Sequence, residues 1–340
     1  MVIGLLQKIF NPILEVKRNI NPQEICNKIR EGNISALSKA ITLCESNNDS
    51  DREISSQILA NLKPKNKNTI RIGITGVPGA GKSTFIEAFG NFLSNQGIKI
   101  AVLTIDPSSR ATKGSILGDK TRMETLSTKN NVFIRPSPAS NFKGGVGKNT
   151  PESIFLCESA GYEIILVETV GVGQNEISVS DMVDFFLLLK ITGSGDELQG
   201  IKRGIIEMSD LIVINKCDGN NIDESIKAKN EFKLALQLFP IKSSNWKPKV
   251  VTCSSIKKEG LENIWDCINE YVLLTKKNNY FFENRINQNK TNLLNIINES
   301  LRISFFNKKS VDINLDKLFK EIEQQKITVF EASQKILSQK

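Results

Sequence analysis

Histidine occurs nowhere in the 340 residues of this chain. An imidazole base and a histidine metal ligand are therefore excluded, and any chemistry must use carboxylates, hydroxyls, amides, lysines or bound ions. Long apolar runs are missing too: IILV and DFFLLL fall far short of the roughly 18 residues that a bilayer-crossing helix needs. No membrane span is expected. The opening MVIGLLQKIFNP is too short for a secretory signal and has no small-residue cleavage site. It also lacks the arginine- and serine-rich character of a transit peptide, so a cytoplasmic location is expected. The six cysteines (Cys26, Cys44, Cys157, Cys217, Cys253 and Cys267) include no CxxC or CxC pair, which argues against disulfides and against a zinc site.

What is present is ordinary for a soluble globular protein, at 39% hydrophobic and 24% charged residues. The net charge of +8 comes from lysines spread over the whole chain among many asparagines. It reads as solvated surface, with a nucleic-acid face as the alternative, and no nucleic-acid partner is expected.

Residues 1–65 carry helical spacing at Ile25, Ile29, Ile34, Leu37 and Ile41 and close on the polar KPKNKN, which predicts an N-terminal helical extension. Across 66–275, short β-rich runs alternate with helical stretches: TIRIGITG, KIAVLTID, NVFIRP, EIILVET, VDFFLLLK, LIVINK and KVVTCS. That alternation predicts an α/β fold with a mostly parallel, doubly wound sheet. In 276–340 the strands stop, and FFENRINQNKTNLLNIINESLRISFF, LDKLFKEIEQ and VFEASQKIL read as amphipathic helices. Their apolar positions, among them Leu293, Leu294, Ile297, Leu301, Leu315, Leu318 and Phe319, are expected to bury against the main domain or a second subunit.

The first strand runs into GVPGAGKST, which is Gly76, Val77, Pro78, Gly79, Ala80, Gly81, Lys82, Ser83 and Thr84. This satisfies GxxxxGK[ST] between a strand and a helix, and so predicts a P-loop NTPase. Backbone N–H groups and the helix N-terminus would cradle phosphates, Lys82 would reach the outer phosphates, and the Ser83 hydroxyl would ligate Mg²⁺. The base is indicated by INKCD, with Asn215, Lys216 and Asp218. A carboxylate here accepts the ring N–H and exocyclic amine of guanine, whereas adenine offers it an acceptor and leaves the charge unpaired. GTP and GDP are the expected ligands. Ser254 and Ser255, with Ile256 after them, lie at another strand end where a backbone N–H could meet the guanine carbonyl; a plain strand-end turn is the alternative.

Mg²⁺ takes hard oxygen ligands and keeps some of its waters. Asp106 ends AVLTID, Glu168 ends IILVE, and Asp119 lies in KGSILGDKTRM, so these acids join Ser83 as candidate metal ligands. The run KITGSGDELQGIKRG follows the strand FFLLLK. In a doubly wound sheet it emerges at the carboxyl end where ligands bind, which would bring Asp196, Glu197, Gln199 and Lys202 near the nucleotide or a partner; a solvated loop is the alternative.

Together GVPGAGKST, DPSS, GSILGDKTRM, FIRPSP, GGVG, VETVGVGQNE, GDELQGIKRG, DLIVINKCDG and TCSS resemble the MeaB/ArgK family of P-loop GTPases, which includes the methylmalonic aciduria type A protein. The resemblance spans roughly residues 70 to 268. It implies a GTPase chaperone for adenosylcobalamin-dependent methylmalonyl-CoA mutase or a related cobalamin-dependent acyl-CoA mutase, gating cofactor delivery and protecting the mutase. Adenosylcobalamin would be met only through that partner. It also implies a homodimer with helical extensions at both ends, and a switch in which Gln199 and Lys202 match the family motif. With Lys82 and Glu168 these make the candidate catalytic set: Gln199 could orient the attacking water and Lys202 supply positive charge to the transition state. The chain departs from the family pattern at Lys113, Asn141, Lys143, Gly147 and Cys217. A metal-insertion GTPase and an amino-acid-transport-associated nucleotidase or kinase are the alternative functions.

Overall fold

The computed structural model describes residues 20–46, 48–65, 68–106, 123–138, 149–169, 175–193, 203–306 and 309–338. All seven strands expected from the sequence form, as β1 (Ile70–Gly76), β2 (Ile100–Asp106), β3 (Val132–Pro138), β4 (Ile164–Thr169), β5 (Phe185–Lys190), β6 (Leu211–Ile214) and β7 (Lys249–Thr252). They make one sheet in the order β3-β2-β4-β1-β5-β6-β7, and every pairing is parallel. Pro136 and Pro138 lie in β3, a sheet edge where a missing N–H costs no ladder bond.

The helices of this part are α1 (Pro22–Arg30), α2 (Ile34–Glu45), α3 (Asp49–Asn61), α4 (Lys82–Ser94), α5 (Glu124–Ser127), α6 (Thr150–Ser159), α7 (Asn175–Ser180), α8 (Arg203–Met208), α9 (Ile222–Leu236) and α10 (Leu261–Lys277). Strand side chains alternate between two apolar layers, as the period of two requires. Ile165, Val167, Phe186, Leu188, Ile212 and Ile214 face a core shared with α1, α2, α6 and α9. Ile164, Leu166, Phe185, Leu187, Leu211 and Val213 face the opposite core with α4 and α10. Central strands buried on both faces explain why they read as continuous apolar runs.

The N-terminal helices are part of this core. Each starts on an asparagine whose side chain accepts backbone N–H groups of the first turn: Asn21, Asn33 and Asn48. Ile25, Ile29, Leu37 and Ile41 are buried, while Ile34, the first residue of α2, is exposed because the apolar stripe has not yet turned inward. Glu45 at the end of α2 pairs with Arg135 and accepts from the Ser137 hydroxyl at 2.6 Å, tying the extension to β3. Arg71 of β1 and the buried Glu158 of α6 form a second ion pair, with bonds of 2.8 and 3.0 Å.

The chain divides into two compact units, Met1–Asn278 and Asn279–Lys340. The second holds α11 (Tyr280–Phe306), α12 (Lys309–Glu323) and α13 (Val329–Leu337). Its small core joins Val311, Leu318, Ala332 and Ile336, with Leu315 partly buried beside them. Thr328 and Glu331 cap α13 reciprocally. Leu293, Leu294, Ile297, Leu301 and Phe319 are exposed in the single chain.

Candidate functional site

β1 delivers the chain to the phosphate-loop sequence at the carboxyl edge of the sheet, beside β4 and β5. Gly76 is required there, because a Cβ on it would stand 2.3 Å from the Leu189 carbonyl oxygen. Gly81 caps α4 with φ +84°, a left-handed conformation that glycine adopts without strain, and a Cβ would press on the Asn215 amide at 2.9 Å. Lys82 opens the helix, and its Nζ donates to the carbonyls of Gly76 at 2.8 Å and Val77 at 3.4 Å. The amine therefore curls back over the loop. Pro78, Gly79 and Thr84 are exposed and Ala80 is buried.

Ser83 and Glu168 meet beside the phosphate-loop sequence. The Ser83 hydroxyl donates to Glu168 Oε1 at 3.4 Å, and Glu168 is buried on β4 opposite Ile74 of β1 and Thr104 of β2. A hydroxyl and a carboxylate at the end of adjoining elements are a donor set suited to Mg²⁺. Asp106 is the last residue of β2, the strand next to β4. Thr169 and Thr75 join β4 to β1 through hydroxyls 2.9 Å apart. Asp119, Gln199 and Lys202 lie outside the described residues, as do Asp196, Glu197, Lys113, Asn141, Lys143 and Gly147.

The two loops of the base reading come together. Asn215 is buried after β6, and its Oδ1 accepts from the Ser255 N–H at 3.2 Å and the Ser255 hydroxyl at 2.8 Å. Its Nδ2 donates to the Ala80 carbonyl at 2.9 Å. Ser254 donates its hydroxyl to the Asp218 carboxylate and accepts from the Lys257 N–H at 3.1 Å. The two backbones are joined again where the Cys217 N–H donates to the Cys253 carbonyl at 3.0 Å. Burial pushes the Cys253 thiol up to about 12. Ile256 stands 74% exposed at the rim, an apolar surface beside the slot.

Two neighbours of this slot carry no strong mark in the sequence. Asn221 and Thr192 are hydrogen bonded to each other at 2.6 Å, twenty-nine residues apart. The one available signal is GNN directly after NKCD, since asparagine side chains commonly fasten turns.

A parallel sheet with this loop between its central strand and a helix, next to an asparagine–aspartate base loop, defines a P-loop protein of the GTPase class. The model of the family described as Methylmalonyl Co-A mutase-associated GTPase MeaB matches residues 37–310. The GTPase ArgK of Escherichia coli (strain K12) is 48% identical over 248 residues, covering 73% of this chain and 75% of the relative. The mitochondrial methylmalonic aciduria type A homolog of Mus musculus is 45% identical over 281 residues, covering 80% of this chain and 68% of the relative. Among solved structures, the crystal structure of LAO/AO transport system kinase superposes with a TM-score of 0.73 at 34% identity, covering 93% of this chain and 97% of that one. The chain belongs to the MeaB family.

Proposed function

We propose that this protein binds GTP and GDP, hydrolyses GTP with Mg²⁺, and serves as a chaperone that gates adenosylcobalamin delivery to, and protects, methylmalonyl-CoA mutase or a related cobalamin-dependent acyl-CoA mutase. The observation that carries the nucleotide half is the joined slot of Asn215, Asp218, Ser254 and Ser255 beside the phosphate loop. The partner half is supported by the family description and by the name of the mouse relative.

In this reading the Asp218 carboxylate takes the two guanine donors, and the Ser254 hydroxyl holds it in place. The exposed Ile256 and the stem of Lys216 offer apolar walls to the purine ring. Lys82 leaves its carbonyl partners for the β- and γ-phosphates, and the N–H groups at the start of α4 take the remaining oxygens. Ser83, Asp106, Asp119 and Glu168 would hold Mg²⁺, directly or through water, and the ion would supply positive charge against the charge developing on the phosphates. Gln199 and Lys202 complete the catalytic set, the first orienting the attacking water and the second supplying positive charge to the transition state. The protein acts as a homodimer through its C-terminal helices, where the exposed Leu293, Leu294, Ile297 and Leu301 provide the apolar surface.

Calorimetry with GTP, GDP and ATP, followed by turnover with and without a cobalamin-dependent mutase, tests the two halves. The expected result is strong guanine selectivity and mutase-stimulated hydrolysis. Equal affinity for ATP overturns the first half, and turnover indifferent to every such mutase overturns the second.

A further inference from the structure

The loop that carries Asp218 contains a backbone conformation that few side chains adopt. Lys216 has φ +59°, in the left-handed region, two residues before Asp218. For a residue that is neither glycine, asparagine nor aspartate such a conformation persists only where its surroundings hold it. Asn221 makes the holding contacts. Its side-chain Nδ2 donates to the Lys216 carbonyl at 2.8 Å and to the Ser225 hydroxyl at 3.3 Å, and its own N–H donates to the Asp218 carbonyl at 3.0 Å. The Ser225 hydroxyl in turn donates to the Asn221 carbonyl at 2.7 Å. One residue thus grips the chain on both sides of Cys217, on the carbonyls just before and just after it. Its remaining acceptor, Oδ1, takes the hydroxyl of Thr192 at 2.6 Å, and Thr192 lies two residues beyond the end of β5.

We propose that Asn221 is a positioning residue for guanine recognition: it locks the left-handed turn at Lys216 and thereby sets the Asp218 carboxylate against the ring N–H and exocyclic amine of the base, with Thr192 anchoring Asn221 from the neighbouring strand end. This rests on the guanine-nucleotide reading above and adds to it a residue that need not touch the ligand. Asp218 is held twice, its carboxylate by Ser254 and its main chain by Asn221. The Ser254 bond holds the carboxylate itself, whereas the Asn221 bonds hold the main chain that carries it. A misplaced carboxylate loses most for the donor that needs the best alignment, so the signature lies in discrimination between bases and not only in affinity.

The test uses the full-length protein and two probes, GDP and IDP, the latter lacking the exocyclic amine. Asn221→Ala removes the three side-chain bonds, one exposed and two half-buried, and GDP affinity is expected to fall about tenfold, the scale of one to two net hydrogen bonds. IDP affinity falls much less, so the GDP-to-IDP ratio contracts. Thr192→Val is expected to contract the same ratio by a smaller factor, and the double variant to be no worse than Asn221→Ala alone, as for two members of one chain of bonds. Should Asn221→Ala fail to fold, Thr192→Val carries the measurement, since it loosens Asn221 by one bond and leaves those to Lys216 and Ser225 in place. Equal weakening of GDP and IDP, or an unchanged ratio in both variants, overturns the proposal and leaves Asn221 a structural residue. The unaltered protein's preference for GDP over ADP separates the two levels: if it is present while the ratio holds, only the role of Asn221 falls; if it is absent, the guanine reading falls and takes this role with it.

Discussion

Asn215 donates its side-chain amide to the carbonyl of Ala80 at 2.9 Å while accepting from Ser255 on its other side. One buried amide therefore joins the loops that follow β1, β6 and β7, so that the GVPGAGKST and NKCD segments are held as a single unit. Asn215→Ala is expected to weaken GDP binding by roughly ten- to a hundredfold, since the partner groups left without it are buried. Calorimetry with GDP measures this, and an unchanged affinity would show the bridge to be incidental.

Lys82 and Glu168 should separate binding from turnover. Lys82→Ala removes the charge proposed to meet the outer phosphates and is expected to abolish measurable GTP binding. Glu168→Gln keeps the shape of the buried side chain but removes its charge next to Ser83. It should spare GDP affinity within a few-fold and lower turnover by about a hundredfold or more, the scale of one lost electrostatic contact in a transition state. Normal hydrolysis by Lys82→Ala would contradict the phosphate-loop assignment.

Lys202 makes a prediction that depends on the partner. Lys202→Ala should leave GTP binding and basal hydrolysis nearly intact while removing most of the stimulation by mutase. Turnover in the presence and absence of mutase decides the point, and full stimulation in the variant would make this an ordinary surface lysine.

Much of the fold is legible in the sequence. The central strands announce themselves as apolar runs because they are buried between two apolar layers, and GVPGAGKST and NKCD sit where a strand-end reading puts them. The helix α3 leaves no comparable signal: only Ser55 and Ile58 are buried along it, too few to make a period. Nor does the Thr192–Asn221 bond, because a side-chain contact between residues far apart in sequence leaves no periodic trace. In the second unit, spacing identifies apolar faces, but spacing says nothing of what covers a face, and Leu318 is buried where Leu301 is bare.

That bare surface bears on assembly. If Leu293, Leu294, Ile297 and Leu301 meet a second copy, light scattering at micromolar concentration should give twice the monomer mass. Leu294→Glu with Leu301→Glu should return it to the monomer while nucleotide binding persists. A monomeric unaltered protein would count against the dimer.

The cysteines differ in a way that labelling can read. Cys253 is buried with its thiol pushed up to about 12, so at pH 8 only about one molecule in ten thousand carries the reactive thiolate there. Cys217 is half-buried in the base loop. Iodoacetamide at pH 8 should therefore modify Cys217 well ahead of Cys253, GDP should slow the Cys217 reaction, and Cys253 labelling should rise about tenfold per pH unit. Protection of neither thiol by GDP would argue that the base binds elsewhere.

The position of β1 at the centre of the sheet sets a schedule for the newborn chain. Ile70 pairs with Ile164 and Ile72 with Phe185, so the first strand to leave the ribosome has no neighbour until much later. At about 5–20 residues per second, β1 waits roughly 5–20 s for β4 and β5. Over that interval its apolar side chains, and those of the N-terminal helices whose core includes β4 and β5 residues, stand open to water. A central first strand thus gives the chain a long period of exposure during synthesis, and attachment of general chaperones to ribosome-bound chains should peak before residue 190 has emerged.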